Sequence, residues 1–154
     1  MIQKYVRLAT REDLPVVLKY AKNFHKASPY RSMRFDSEKS KKFFESTLGA
    51  SQTSVMLIAL KSSEPIGFLT AMAAEPVFSS EKISMELAWW VEPEHRRTRS
   101  SYLLFKAYED WALRVGCSYV QGAYLPGVST DLDDFYRSQG YTEVESSYMK
   151  RIKL

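Results

Sequence analysis

Apolar residues recur along this chain at two spacings, and the changes between them mark its elements. Val6 and Leu8 alternate with Tyr5, Arg7 and Ala9, the two-residue period of a short strand. Leu14, Val17, Leu18, Ala21 and Phe24 then return at helical spacing. Pro15 is tolerated only in a first helical turn, which predicts a helix start near Arg11 to Asp13. From His25 to Asp36 no period survives: Pro29 interrupts a mixture of Lys26, Arg31 and Arg34 with Tyr30, Met33 and Phe35, and a loop is expected. Ser37, a charged run, and then Phe43, Phe44 and Leu48 predict a second short helix, capped by Ser37 and stopped at Gly49.

The apolar runs Val55 to Leu60 and Ile66 to Ala73, parted by KSSEP, read as an antiparallel hairpin with a slightly long turn. Ile83 to Val91 is another apolar strand in which Glu86 is the exception. Strict alternation places Ser84, Glu86, Ala88 and Trp90 on one face and Met85, Leu87, Trp89 and Val91 on the other. A broad helical stripe follows from about Ser100, made of Leu103, Leu104, Ala107, Tyr108, Trp111, Ala112 and Val115 and ended by Gly116. Ser118 to Tyr124 reads as a strand broken by Pro126 and Gly127, and Thr130 to Ser138 as a short helix with Asp131, Asp133 and Asp134 near its positive end. Gly140 stops that helix, and Tyr141 to Ile152 is expected to close the chain with one or two strands. The order β-α-α-β-β-β-α-β-α-β implies an α+β fold, a mixed sheet with helices on its faces, in a single domain over residues 1–154.

Composition narrows the picture by exclusion. A chain of 154 residues with 45% apolar and 14% aromatic content can bury one sizeable core. The single Cys117 rules out an internal disulfide, no Cys and His cluster has metal-ligand spacing, and no metal is expected. The opening MIQKYVRLATRED becomes charged before any apolar stretch of signal-peptide length, and no run approaches the ~20 residues of a membrane span; a cytoplasmic protein without membrane contact is the expectation. A net charge of +4 suits an anionic ligand, an acidic partner or loose nucleic-acid contact, and decides among none of them.

Chemistry concentrates at Val91 to Ser101, the run VEPEHRRTRSS between an apolar strand and an amphipathic helix. The first N–H groups of a helix lack intrahelical partners and its dipole end is positive, so the turn has the physics of an anion site, and Arg96, Arg97 and Arg99 add charge. The same residues also suit a solvated basic loop at a sheet edge. Cys117 reads as a small buried apolar residue rather than a nucleophile, since no His or basic partner adjoins it in sequence. His25 reads as a surface loop residue, His95 as a packing or capping residue, and Trp89, Trp90 and Trp111 as core by default.

Three stretches resemble the GNAT N-acetyltransferase family, and together they span essentially the whole chain. VRLATREDLPVVLKYA is similar to the family's first strand and helix. WWVEPEHRRTRSSYLLFKAYEDWA resembles its strand, Val-x-Pro, R-x-x-G-x-G/A turn and helix, with Arg96 in the first motif position but Arg99 and Ser101 where the two small residues stand. SYVQGAYLPGVSTDLDDFYRSQGYTEVE is similar to its fifth strand, short helix, tyrosine and Gly-aromatic ending, with Tyr136, Gly140 and Tyr141 in register and Ser129 where an Asn often lies.

The resemblance implies a mostly antiparallel sheet of six to seven strands with about four helices, and transfer of an acetyl group from acetyl-CoA to a primary amine. It implies coenzyme contacts from Trp89, Trp90, Val91, Arg96, Arg97, Thr98, Arg99, Ser100, Ser101 and Ser129. The side chain at position 99 would either crowd the diphosphate or turn outward. Glu86, a carboxylate in an apolar wall, is the expected general base, against the alternative of a strand Glu paired with an Arg or facing solvent. Tyr136 is the expected acid for the leaving thiolate, against an ordinary packed tyrosine, and Tyr30, Phe35 and Tyr124 are expected near the acceptor. The basic first loop favours a peptide, an acidic protein or a metabolite bearing negative charge over a polyamine as acceptor. Nucleic acid is not expected as a substrate, and a homodimer is left open. The competing function is a catalytically inactive GNAT-like module that binds a protein or nucleic acid.

Overall fold

The computed structural model describes residues 4–129 and 131–153. Strand β1 (Val6–Leu8) leads through a 3-10 turn at Arg11–Asp13 into α1 (Leu14–Ala27), with Pro15 in the first turn as its missing N–H requires. Arg7 ties the two together: Nη1 and Nη2 donate to the two carboxyl oxygens of buried Asp13 at 2.6 and 2.9 Å, and the backbone N–H of Thr10 donates to the same carboxylate. Helix α1 runs through His25, which sequence placed on a loop, because Phe24 still has an apolar surface to pack on and no glycine or proline intervenes before Ser28 and Pro29. Helix α2 (Ser37–Ser46) is capped by Asp36, whose Oδ1 accepts from the Lys39 N–H at 3.0 Å, rather than by Ser37, the first helical residue.

Strands β2 (Ser54–Lys61) and β3 (Glu64–Ala74) form the expected hairpin, but its turn is only the two residues Ser62 and Ser63, both left-handed with φ of 50° and 70°. That is the twist-matched two-residue turn, which sequence hid because neither residue is the glycine or asparagine that usually marks it. After β4 (Lys82–Val91) come α3 (Arg99–Arg114), β5 (Cys117–Gln121) and α4 (Leu132–Ser138). Thr130, the expected first residue of that last helix, lies outside the described residues.

The five strands lie in sequence order, antiparallel from β1 to β4 and parallel between β4 and β5, where α3 makes the crossover. The expected count of six to seven strands is therefore too high among the described residues. Residues 141–153 contain no strand, and Val144, Tyr148, Met149 and Ile152 are exposed there. Two glutamates, two serines and three basic residues in that stretch leave too few apolar side chains to make burial of a strand face favourable.

The sheet is covered on both faces. On one, Leu104, Phe105, Tyr108 and Trp111 of α3 and Tyr136 of α4 pack on Leu57, Leu69, Ala71 and Val91. On the other, Val17, Tyr20 and Ala21 of α1 and Phe44 of α2 pack on Met56, Ile58, Phe68 and Trp90, with the Phe68 ring between Tyr20 and Phe44.

One irregularity positions the site. The β3–β4 register pairs Thr70 with Ala88 but Ala71 with Glu86, so Leu87 is an extra residue on β4. Directly opposed residues of antiparallel strands share a face, so Glu86 lies with Ala71 on the α3 side while Ala88 lies with Thr70. The alternation expected from sequence, which grouped Glu86 with Ala88 and Trp90, is therefore broken: the bulge brings Glu86 onto the face of Trp89 and Val91. No periodicity argument sees a single inserted residue.

Candidate active site

Strands β4 and β5 pair from Lys82 with Cys117 to Met85 with Gln121 and then separate. Into the opening projects Glu86, whose Oε2 accepts the backbone N–H of Ala123 at 3.1 Å. Strand β5 ends at Gln121 rather than Tyr124, held there by Tyr108 of α3, whose hydroxyl donates to the Gln121 carbonyl at 2.9 Å. Burial among apolar side chains pushes the Glu86 carboxyl up to about 7, only partly offset by the Ala123 hydrogen bond. No arginine pairs with this glutamate among the described residues, and the residue is half-buried.

Tyr136 of α4 is buried beside it. Its hydroxyl donates to the Ala123 carbonyl at 3.2 Å, so Ala123 offers its N–H to Glu86 and its carbonyl to Tyr136. Burial, and secondarily the Glu86 charge, push the Tyr136 hydroxyl well above its ordinary value, so it keeps its proton throughout the neutral range. The contact depends on Gly122: a Cβ there would stand 2.3 Å from the Tyr136 hydroxyl oxygen. This glycine was legible as an isolated glycine near a strand end, a signal of close backbone approach.

Glu86 and the ring of Trp89 line a small cavity of about 20 Å³, room for about one water, with Phe24, Leu125, Val128 and Leu132. Trp89, Val128 and Leu132 also line a larger cleft of about 640 Å³ that opens between the β4–α3 turn and the segment leading into α4. These three side chains are the partition between the two spaces. Phe24, Leu125 and Leu132 escaped the sequence reading because they are ordinary apolar residues that only the fold brings beside Glu86.

The larger cleft gathers Trp89, Val91, Arg96, Arg97, Thr98, Ser101 and Ser129 of the residues anticipated at a coenzyme site, and adds Pro93, Tyr102, Asp131 and Phe135. Arg96 is committed to the protein: Nε donates to the Val91 carbonyl at 2.8 Å, Nη1 to the Val128 carbonyl at 2.7 Å, and the guanidinium lies 4.6 Å from the Trp90 ring centroid. It thus fastens the segment before α4 to the end of β4. Arg97 pairs with Asp131 across the cleft.

Position 99 is the first residue of α3 and takes a helical backbone; the left-handed residue of the turn is Arg97, with φ of 61°. The Arg99 side chain is exposed and turns outward onto Tyr5, its guanidinium 5.0 Å from the ring centroid, so it does not crowd the cleft. Ser100 is buried, donating to the Leu60 carbonyl at 2.7 Å, and Trp90 is buried on the opposite face of the sheet; neither lines the cleft. Thr98 is the N-cap, with Ser101 N–H donating to its hydroxyl at 3.4 Å. No acceptor among the described residues is assigned to the N–H groups of Arg97, Thr98, Arg99 and Ser100.

Of the residues anticipated near the acceptor, Tyr30 and Tyr124 are exposed and Phe35 packs against His25, with ring centroids 5.4 Å apart; none lines the small cavity. Cys117 opens β5, buried, and that burial pushes its thiol up, away from thiolate chemistry. No helix is long and apolar enough to cross a membrane, and no group of three or more His, Cys, Asp or Glu among the described residues could hold a metal ion.

A split β4–β5 pair with a basic turn and a helix N-terminus at its mouth can be set against known families. The model of the GNAT acetyltransferase family matches residues 20–141, most of the chain. The chain belongs to the GNAT acetyltransferase family. Solved structures agree on the fold. The aminoglycoside 6'-N-acetyltransferase AAC(6')-IG from Acinetobacter haemolyticus superposes with a TM-score of 0.72 at 18% identity, over 97% of this chain and 98% of that one. A ribosomal-protein-alanine N-acetyltransferase from Brucella melitensis gives 0.72 at 16% identity over 96% and 97%. An integron cassette protein from the mobile metagenome of Cole Harbour Salt Marsh gives 0.75 at 12% identity over 98% and 91%. No curated protein sequence matches the chain. At these identities the likeness to GNAT structures is a likeness of fold alone.

Proposed function

We propose that this protein is an N-acetyltransferase that moves an acetyl group from acetyl-CoA to a primary amine by direct attack, with Glu86 as general base and Tyr136 as general acid. The single observation that carries the reading is the pairing of these two groups on Ala123 at the β4–β5 split. One is a carboxyl poised to change charge near neutrality, the other a hydroxyl that holds its proton.

The larger cleft fits the coenzyme. Its volume admits a pantetheine arm, and the uncommitted N–H groups from Arg97 to Ser100 lie at the positive end of a 16-residue helix, where a diphosphate is favoured. Thr98, Ser101 and Ser129 offer hydroxyls around it, and Trp89 and Val91 the apolar wall. Because Arg99 faces away, it is not a direct phosphate ligand in this reading. Bound acetyl-CoA would supply an activated acetyl thioester, with Trp89, Val128 and Leu132 among the side chains lining its cleft.

Glu86 takes the proton that the amine nitrogen must lose as its bond to the acetyl carbon forms, directly or through the water its cavity has room for. As the carbon–sulfur bond breaks, Tyr136 gives its hydroxyl proton to the departing sulfur and is re-protonated from solvent. The apolar side chains around Glu86 limit the access of bulk water to its transfer. The family neighbours that acetylate aminoglycosides and a ribosomal protein show that the fold serves very different amines.

The test is the pH dependence of kcat/KM with any acceptor that turns over. The rate should rise tenfold per pH unit and level off near pH 7 as Glu86 ionises, and Glu86→Gln should be slower and lack that limb. A Glu86→Gln enzyme with the parent's rate and profile refutes the assignment.

A further inference from the structure

One corner of the sheet carries apolar side chains that nothing covers. The cover that α1 and α2 give to Met56, Ile58, Phe68 and Trp90 does not extend to it. Met72 lies opposite Met85, Ala74 opposite Ile83, and Ile83 beside Tyr119 on the parallel neighbour, so these side chains share that same face. Met72, Met85 and Tyr119 are exposed, and so are Val77 and Phe78 in the β3–β4 connection at that end of the sheet. Strand β5 closes the sheet there. It pairs with β4 alone, so along its outer edge the backbone has no strand partner among the described residues.

The chain's own C-terminal segment passes this edge without taking it. Gln121 Nε2 donates to Glu145 Oε1 at 3.5 Å, yet residues 142–153 form no strand, are all exposed, and make no backbone hydrogen bond to β5 among the described residues. In an extended chain Val144, Tyr148 and Ile152 fall on one side with Ser146 and Lys150, while Glu143, Glu145, Ser147, Met149 and Arg151 fall on the other. Tyr148 and Ile152 are 96% and 90% exposed, so the segment has the apolar side of a strand and no sheet to lay it on. One chain thus carries an open edge beside an apolar corner and also the segment that suits them, and a two-fold axis satisfies both on each copy. Charge sets the direction. Glu75 and Glu81 flank Val77 and Phe78 with no basic residue between them, and the segment begins with Glu143 and Glu145 and ends with Lys150, Arg151 and Lys153. Antiparallel addition starts it at Gln121 and carries its basic end past Cys117, the partner of Lys82, to those two carboxylates; parallel addition sets like charges together.

We infer that two copies of this chain dimerise by exchanging C-terminal segments, residues 142–153 of each adding antiparallel to the β5 edge of the other and laying Val144, Tyr148 and Ile152 beside Met85 and Tyr119. One segment alone is too weakly apolar to hold a strand face; the exchange makes the contact twice in a single interface.

Sedimentation of the full chain at roughly 100 μM should give a particle of twice the 17.8 kDa chain mass. Tyr148→Asp combined with Ile152→Asp should raise the dimer dissociation constant at least about 100-fold, and far-UV circular dichroism should show the variant folded, since both side chains are exposed in the single chain. Carbodiimide, which joins an amine to a carboxylate in contact with it, should link Lys150 or Lys153 to Glu75 or Glu81 in the covalent dimer recovered from a denaturing gel. A parent chain that sediments as a monomer overturns the inference. So does a double variant whose dissociation constant moves by less than about tenfold. Absence of that link from the covalent dimer overturns it as well, and a link confined to the monomer band would mean that each segment folds back on its own edge.

Discussion

Holding Glu86 in an apolar wall costs stability once it ionises, and the cost can be measured without any substrate. Its carboxyl shifts from an ordinary 4.5 in the unfolded chain to about 7 in the folded protein. A folded-state value above the unfolded one means that the native state binds the proton more tightly. The stabilisation is fully present below pH 4.5 and is lost as pH rises through 7. The displacement corresponds to about 3 kcal/mol between those limits.

Glu86→Gln keeps the shape and can still accept the Ala123 N–H through its amide oxygen, but it does not titrate. Its stability relative to the parent should therefore climb by about 3 kcal/mol between pH 4.5 and pH 8, whatever the offset at low pH. For a chain of 154 residues this is a relative gain in Tm of roughly 6–12 °C. Denaturant or thermal unfolding of both proteins across that range reads it directly, since a difference cancels every group they share. Parallel stability curves would show that Glu86 titrates as an ordinary exposed carboxyl and would remove the physical basis for its role as base.

Other perturbations separate chemistry from scaffold. Tyr136→Phe should lower kcat by roughly 100-fold or more while the acetyl-CoA dissociation constant, measured by calorimetry, stays within about threefold; an unchanged kcat would make Tyr136 a packing residue. Gly122→Ala puts a methyl 2.3 Å from the Tyr136 hydroxyl oxygen, so it should cost about 1–3 kcal/mol of stability and depress kcat much as Tyr136→Phe does; a variant with full stability and activity would contradict the packing. Arg99→Ala should change acetyl-CoA affinity by less than about fivefold, because its guanidinium rests on Tyr5 outside the cleft; a loss of 100-fold or more would mean that it reaches the phosphates.

Much of this protein is written locally. The helices from Leu14, Ser37 and Arg99 and the β2–β3 hairpin are set by apolar spacing, Pro15 and capping residues, which act over a few neighbouring positions and are legible in order. So was the basic turn between a strand and a helix, since strand period, charge and helix period are all contiguous there. Local pattern also misled: residues 141–153 carry a few strand-like apolar positions, yet none of these is paired in the sheet.

Only the tertiary structure decided the site. One residue inserted at Leu87 turns Glu86 to the face of Trp89, a consequence of pairing with β3 that β4 alone does not encode. Arg99 looked like an obstruction by its place in the motif and stacks outward because Tyr5, more than ninety residues earlier, offers it a ring. Glu86, Ala123 and Tyr136 come from three separated segments, and what joins them is the end of β5, fixed by Tyr108 and by the space beside Gly122. Periodicity reports which face a residue prefers; the shift of a carboxyl to about 7 depends on which side chains surround it, and those arrive through the fold.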